Sequence, residues 1–113
     1  MAERFVYRFT WDPEKAATNR GKHGVTFEQA ATVFRDPLAL SLYDEEHSAT
    51  EERWLTLGED ENGALLVVSH TFEELSDEEA LVRVISARDA TAHAPTPNWL
   101  EVLWAWGDRT RTA

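Results

Sequence analysis

The 113-residue sequence predicts an α+β fold built around one core. Three observations lead there. An alternating aromatic strand opens the chain, two short capped helices follow, and most of the next fifty residues read as strand. An apolar share of 42% and five Trp fit a folded globule rather than a disordered tail.

Phe5, Tyr7, Phe9 and Trp11 alternate with Val6, Arg8 and Thr10, the period-2 pattern of a first strand. Asp12 then serves as an N-cap, with Pro13 at the first helical position, where a missing N–H does no harm. The first helix runs to about His23, and Gly24 supplies the left-handed residue that stops it. Thr26 and Gln29 have capping-box spacing for a second helix. Phe27, Ala30, Ala31 and Phe34 form its core face, and Asp36-Pro37 ends it.

Residues 38–43, 53–57 and 65–72 read as strands, and Asn62-Gly63 marks a hairpin between the last two. Residues 73–79 read as a charged turn, residues 81–88 as the last strand, and residues 89–93 as helical. Pro95 and Pro97 break that helix. Trp99, Val102, Leu103 and Trp106 then share helical spacing, which predicts an amphipathic C-terminal helix that packs on the core, in a homodimer or in a partner's groove. It lacks the Lys and Arg that membrane-surface helices favour. The expected architecture is an N-terminal strand, two short helices, a four-stranded mainly antiparallel sheet and a C-terminal helix.

Composition narrows the function. Without cysteine there is no disulfide and no thiolate metal site, which fits a reducing cytoplasm. The N-terminus lacks a signal-peptide apolar stretch, and the longest aliphatic run, about residues 64–68, is too short to span a membrane. A net charge of −10 ordinarily counts against nucleic-acid binding. Its distribution answers that objection. Residues 44–61 and 73–79 together contribute −12, leaving +2 on the rest of the chain. Those acidic stretches read as solvated surface or as a docking face for a basic partner.

No Walker loop, Gly-x-Gly-x-x-Gly or Gly-x-Ser-x-Gly motif is present, so no nucleotide or dinucleotide cofactor is expected. His23, His47, His70 and His93 show no zinc-helix spacing, so no metal is expected, and His47 reads as a solvated loop residue. A cationic set remains: Lys15, Lys22 and His23 with Asn19 on one helix stripe, Arg53 on a middle strand, and Arg83 and Arg88 on the last.

Metal-free RNA cleavage needs such groups. A base takes the 2′-OH proton, cations offset charge on the phosphorane, and an acid protonates the leaving oxygen. Arginine suits the second task through its planar fork, and His23 titrates in the right range to serve as acid or base. Glu51 or Glu52 is placed to act as a base or to orient an arginine. The alternatives are a histidine capping a helix C-terminus, solvated lysines and structural arginine ion pairs. In a regular strand Arg83 and Arg88 face opposite ways. They meet on one side only if the strand twists, bulges or ends between them.

The motifs Trp11-Asp12-Pro13, Lys15-Ala16, Asn19, Lys22-His23-Gly24-Val25, Phe27, Ala30, Val33-Phe34 and Asp36-Pro37 occur together with Glu52-Arg53, Gly58, Arg83-Val84-Ile85-Ser86-Ala87-Arg88 and Ala90-Thr91. Jointly they resemble the BrnT family of bacterial type II toxin–antitoxin toxins. The resemblance implies a RelE-like toxin domain over residues 1–93 and a divergent Trp-rich tail over 94–113. It implies metal-independent endoribonuclease activity that inhibits translation. It also implies a ribbon-helix-helix antitoxin, through which DNA is contacted only indirectly. Lys22, His23, Glu52, Arg53, Arg83 and Arg88 are the catalytic candidates, and Lys15, Asn19 and Ser86 the substrate-binding ones. The family's usual Glu-Arg-Arg segment and nearby Tyr are replaced by residues 92–97 and the tail. That departure supports a second expectation, a weakened or inactive toxin-fold protein acting as a binding module.

Overall fold

The computed structural model describes residues 5–90. β1 (Val6–Thr10) leads into α1 (Pro13–His23) and α2 (Phe27–Thr32), which a 3₁₀ turn at Val33–Arg35 extends. β2 (Leu40–Tyr43), β3 (Trp54–Glu59), β4 (Leu65–His70), β5 (Glu73–Ser76) and β6 (Glu79–Asp89) follow, with a second 3₁₀ turn at Glu45–His47.

The helix ends are set by side chains close in sequence. Asp12 accepts from the Glu14 N–H, and Gly24 takes φ 70° while its N–H returns to the Arg20 carbonyl. A β-carbon disfavours that left-handed conformation. Thr26 and Gln29 cap each other's backbone in a complete capping box.

The sheet runs β1-β6-β4-β3-β2, antiparallel throughout except for the parallel β1–β6 pair at one edge. β5 pairs antiparallel with the first part of β6. The predicted four strands are therefore part of a six-stranded sheet. Residues 73–76, read as part of a charged turn, are strand, because after Phe72 the chain keeps running along β6. Their side chains are all exposed, so no apolar alternation marked them. Asp89 ends β6 rather than starting a helix, and Ala90 lies in a turn. The remainder of that predicted segment and the Trp99–Trp106 helix lie outside the described residues.

Both helices lie on one face of the sheet. Phe27, Ala30 and Val33 pack there against Leu66, Val68, Val82, Val84 and Ala87. Fully burying a side chain of the size of Phe27 contributes about 1.5–3 kcal/mol. A smaller cluster of Leu55, Leu57, Val67 and Ala90 occupies the opposite face.

Three polar side chains tie the layers together. Asp60 accepts from the Asn62 and Ala64 N–H groups in the β3–β4 hairpin and from the Gln29 amide on α2. Asp36 accepts from the Leu38 and Glu59 N–H groups, drawing the end of the helical segment onto β3 at Gly58. A β-carbon at Gly58 would lie 3.0 Å from Val33 Cγ1 and 3.1 Å from both Ala39 Cβ and Asp36 Oδ2. His70, 2% exposed, ends β4 against the ring of Phe34. Its Nδ1 lies 2.9 Å from the Thr71 carbonyl, so Nδ1 carries the proton and Nε2 accepts from the Thr56 hydroxyl at 2.6 Å. Thr56 in turn accepts from Ser41.

Candidate active site

The geometry of the site begins with one irregularity in β6. Ala80, Val82 and Val84 are buried on the helix side, as alternation requires. His70 pairs with Val84 but Ser69 with Ser86, so Ile85 is an inserted residue in a β-bulge. After the bulge Ala87 faces the helices, whereas regular alternation from Val84 would place Ser86 there. Arg83, Ser86 and Arg88 consequently share the face away from the helices. The separation that would oppose the two arginines in a regular strand is cancelled by one extra residue.

Asn19 holds the far side of the bulge in place. Its amide nitrogen donates to the Val25 and Ala87 carbonyls at 3.0 and 2.8 Å, and its oxygen accepts from the Ala87 N–H at 3.0 Å. The residue is 5% exposed, and both of its donors are spent on backbone. Expected to bind substrate, Asn19 instead bolts α1 to the strand that carries Arg88.

Two adjoining cavities open beside this strand. One, of about 200 Å³, is lined by Asp44, His47, Arg53, Ser69, Ser86 and Arg88 over an apolar floor of Leu55, Val67 and Ile85. The other, of about 390 Å³, is lined by Lys15, Lys22 and His23 from α1, with Asp12, Glu14, Thr18 and Asn19. Ile85, Ser86 and Arg88 line both, so the two form one cleft with Arg88 at its waist.

The arginines differ in their partners. Arg83 is bound to both carboxylate oxygens of Glu51 at 2.6 and 2.5 Å, and Arg53 reaches the same carboxylate at 3.5 Å. The Arg83 hydrogen bond, reinforced by the charges of Arg83 and Arg53, holds the Glu51 carboxyl below the usual carboxylate range. Arg83 lines neither cavity. The buried Nε of Arg53 has no hydrogen-bond partner among the described residues. A buried donor of this kind is completed by water or by a bound acceptor. Among the described residues Arg88 makes no ion pair.

Of the predicted residues, the fold therefore gathers Lys15, Lys22, His23, Arg53, Ser86 and Arg88 around one cleft, with Asn19 in its wall. It does not gather Arg83 or Glu52. Glu52 is exposed and lines neither cavity, while its neighbour Glu51 holds the arginines. Asp44 and His47 also line the cleft, although the sequence pattern marks His47 only as a loop residue; its Nδ1 lies 2.9 Å from Oδ2 of the buried Asp44. An acid three residues before a histidine was the available signal.

The sequence matches the family model described as "Ribonuclease toxin, BrnT, of type II toxin-antitoxin system" over residues 11–93. The chain belongs to the BrnT ribonuclease toxin family. The crystal structure of the Brucella abortus ribonuclease toxin BrnT is similar, at 25% identity and a TM-score of 0.51. The similarity covers 74% of this chain and 95% of the Brucella one. No curated protein sequence matches. Membership of a type II toxin family implies an antitoxin partner. Among the described residues no helix is long and apolar enough to cross a membrane.

Proposed function

We propose that this BrnT-family chain is a metal-independent endoribonuclease that cuts RNA in the cleft around Arg88, and that this cutting inhibits translation. One observation carries the reading. Arg88, which has no ion pair among the described residues, stands where a helix face bearing Lys15, Lys22 and His23 meets a cavity holding a second arginine, whose buried Nε has no partner among those residues. A phosphodiester seated there meets guanidinium groups from β6 and from the residue just before β3, and their planar forks match its non-bridging oxygens. These groups stabilise the phosphorane more than the ground state, because charge builds on the same oxygens as the bond forms. Lys15 and Lys22 bind neighbouring phosphates of the strand, and Ser86 offers a hydroxyl to the scissile group. His23, at the C-terminal end of α1, is the imidazole on that side of the cleft. Glu51 steadies Arg53, and Arg83 anchors Glu51, so Arg83 acts as a positioning residue.

The partner in this reading is a ribbon-helix-helix antitoxin whose basic segment docks on the acidic surface of residues 44–61 and 73–79. Its association should slow markedly in high salt.

The test is incubation of the purified chain with RNA in excess chelator. Wild type should yield fragments with 2′,3′-cyclic phosphate and 5′-hydroxyl ends, and R88A should not. Intact RNA with the wild type, or cleavage that appears only when divalent metal is restored, overturns the reading.

A further inference from the structure

We infer that His47, oriented by Asp44, is the general base that removes the 2′-hydroxyl proton, working across the cleft from His23. This rests on the ribonuclease reading above.

In-line transesterification needs two proton-transfer groups on opposite sides of the phosphorus. One receives the proton of the nucleophile and the other supplies a proton to the leaving oxygen. The cleft has one imidazole in each lobe, His47 beside Arg53 and His23 beside Lys22, with Arg88 bordering both. No other histidine is available among the described residues, since His70 is buried on the opposite face with both ring nitrogens bonded.

The hydrogen bonds of His47 favour the role of base. Asp44 is 6% exposed, and its Oδ2 accepts a hydrogen bond from the ring's Nδ1–H. An ionised carboxylate accepts only, so the neutral ring is held with its proton on Nδ1 and its lone pair on Nε2. The backbone of this loop is closed by Asp44 N–H to the Arg53 carbonyl at 2.8 Å and by Arg53 N–H to the Ser48 hydroxyl at 3.0 Å. Asp44 and His47 are thereby fixed to Arg53, the residue immediately before β3. The ring itself remains accessible, with the side chain 53% exposed. The ionisable groups facing it are Asp44 on its own loop, Arg53 just before β3 and Arg88 on β6, with Glu51 behind Arg53.

The step balances without a co-reactant. His47 Nε2 takes the 2′-OH proton as the 2′-oxygen bonds to phosphorus. The bond from phosphorus to the 5′-oxygen breaks, and His23 delivers a proton to that oxygen. The products are a 2′,3′-cyclic phosphate and a 5′-hydroxyl end. His47 finishes protonated and His23 neutral, and exchange with water resets both.

The test compares full-length wild type, H47A, H47N, D44N and H23A for RNA cleavage in chelator, with single-stranded RNA binding measured in parallel. The Asn side chain of H47N can still donate to Asp44 from the Nδ1 position but has no basic nitrogen, so it separates loop pinning from proton transfer. H47A and H47N should each lose about 10²- to 10⁴-fold in kcat, retain RNA affinity within about twofold, and lose one limb of the pH–rate profile. D44N should lower kcat with KM little changed. Undiminished cleavage by H47N, with the profile of the wild type, overturns the inference and leaves the ribonuclease reading standing. An inactive wild type overturns both.

Discussion

His70 makes stability depend on pH in a window its burial defines. Burial pushes its imidazole from the ordinary value of 6.5 down to about 4, against the smaller opposing effect of its bond to the Thr71 carbonyl. In the unfolded chain the ring protonates below about 6.5. In the folded chain it stays neutral until about pH 4, where a proton on Nε2 would displace the Thr56 hydroxyl bond. Between these values the unfolded state binds more protons, so stability falls as the pH falls. The full effect is about 3 kcal/mol, of which about 2 kcal/mol is already lost at pH 5. Urea unfolding of wild type and H70Q at pH 7.5 and pH 5 isolates it, because the carboxylates common to both proteins cancel. Wild type should lose about 2 kcal/mol more than H70Q over this interval, a midpoint difference of roughly 1 M. Parallel losses in the two proteins would show that His70 is not buried neutral, and the Ser41–Thr56–His70 chain would fall with it.

Three further outcomes follow from the packing around the site. Asn19→Ala leaves the Ala87 N–H and the Val25 and Ala87 carbonyls without their side-chain partner, and should cost about 2–4 kcal/mol in denaturant unfolding. Cleavage should fall as well, because Arg88 is adjacent to Ala87. Gly58→Ala places a methyl 3.0–3.1 Å from three atoms of the packed helical turn and its loop, and should lower stability by about 1–3 kcal/mol in calorimetry. Glu51→Gln removes the carboxylate shared by Arg53 and Arg83. It should weaken RNA cleavage by less than R88A does, since Glu51 acts only through the arginines.

What could be read in advance was what is local. The caps at Asp12, Gly24 and Thr26/Gln29 each involve residues at most four apart, and all three stand as predicted. The alternation of residues 5–11 likewise placed β1. Its parallel pairing with β6 is a contact across more than seventy residues and left no trace in the pattern. The same distinction divides the site. A bulge or twist was required for Arg83 and Arg88 to share a face, but its position at Ile85 is set by pairing with Ser69 and His70 on another strand. Even with the bulge, Arg83 is drawn to Glu51 rather than to the cleft, a choice made by a loop whose path no periodicity encodes. Asn19 lies on the same stripe as Lys15 and Lys22. Only the depth of α1 on the sheet shows that its amide faces strand backbone rather than substrate.

The bulge gives Arg88 to the cleft and the Glu51 pair takes Arg83 from it, so the two arginines should not be equivalent in catalysis. The decisive measurement is kcat for R88A and R83A on one RNA, in chelator, with folding verified by circular dichroism. R88A should lose at least about 10²-fold, as for removal of a group that stabilises transition-state charge, and R83A much less. Equal losses, or a larger loss for R83A, would place the reacting phosphate elsewhere on the sheet.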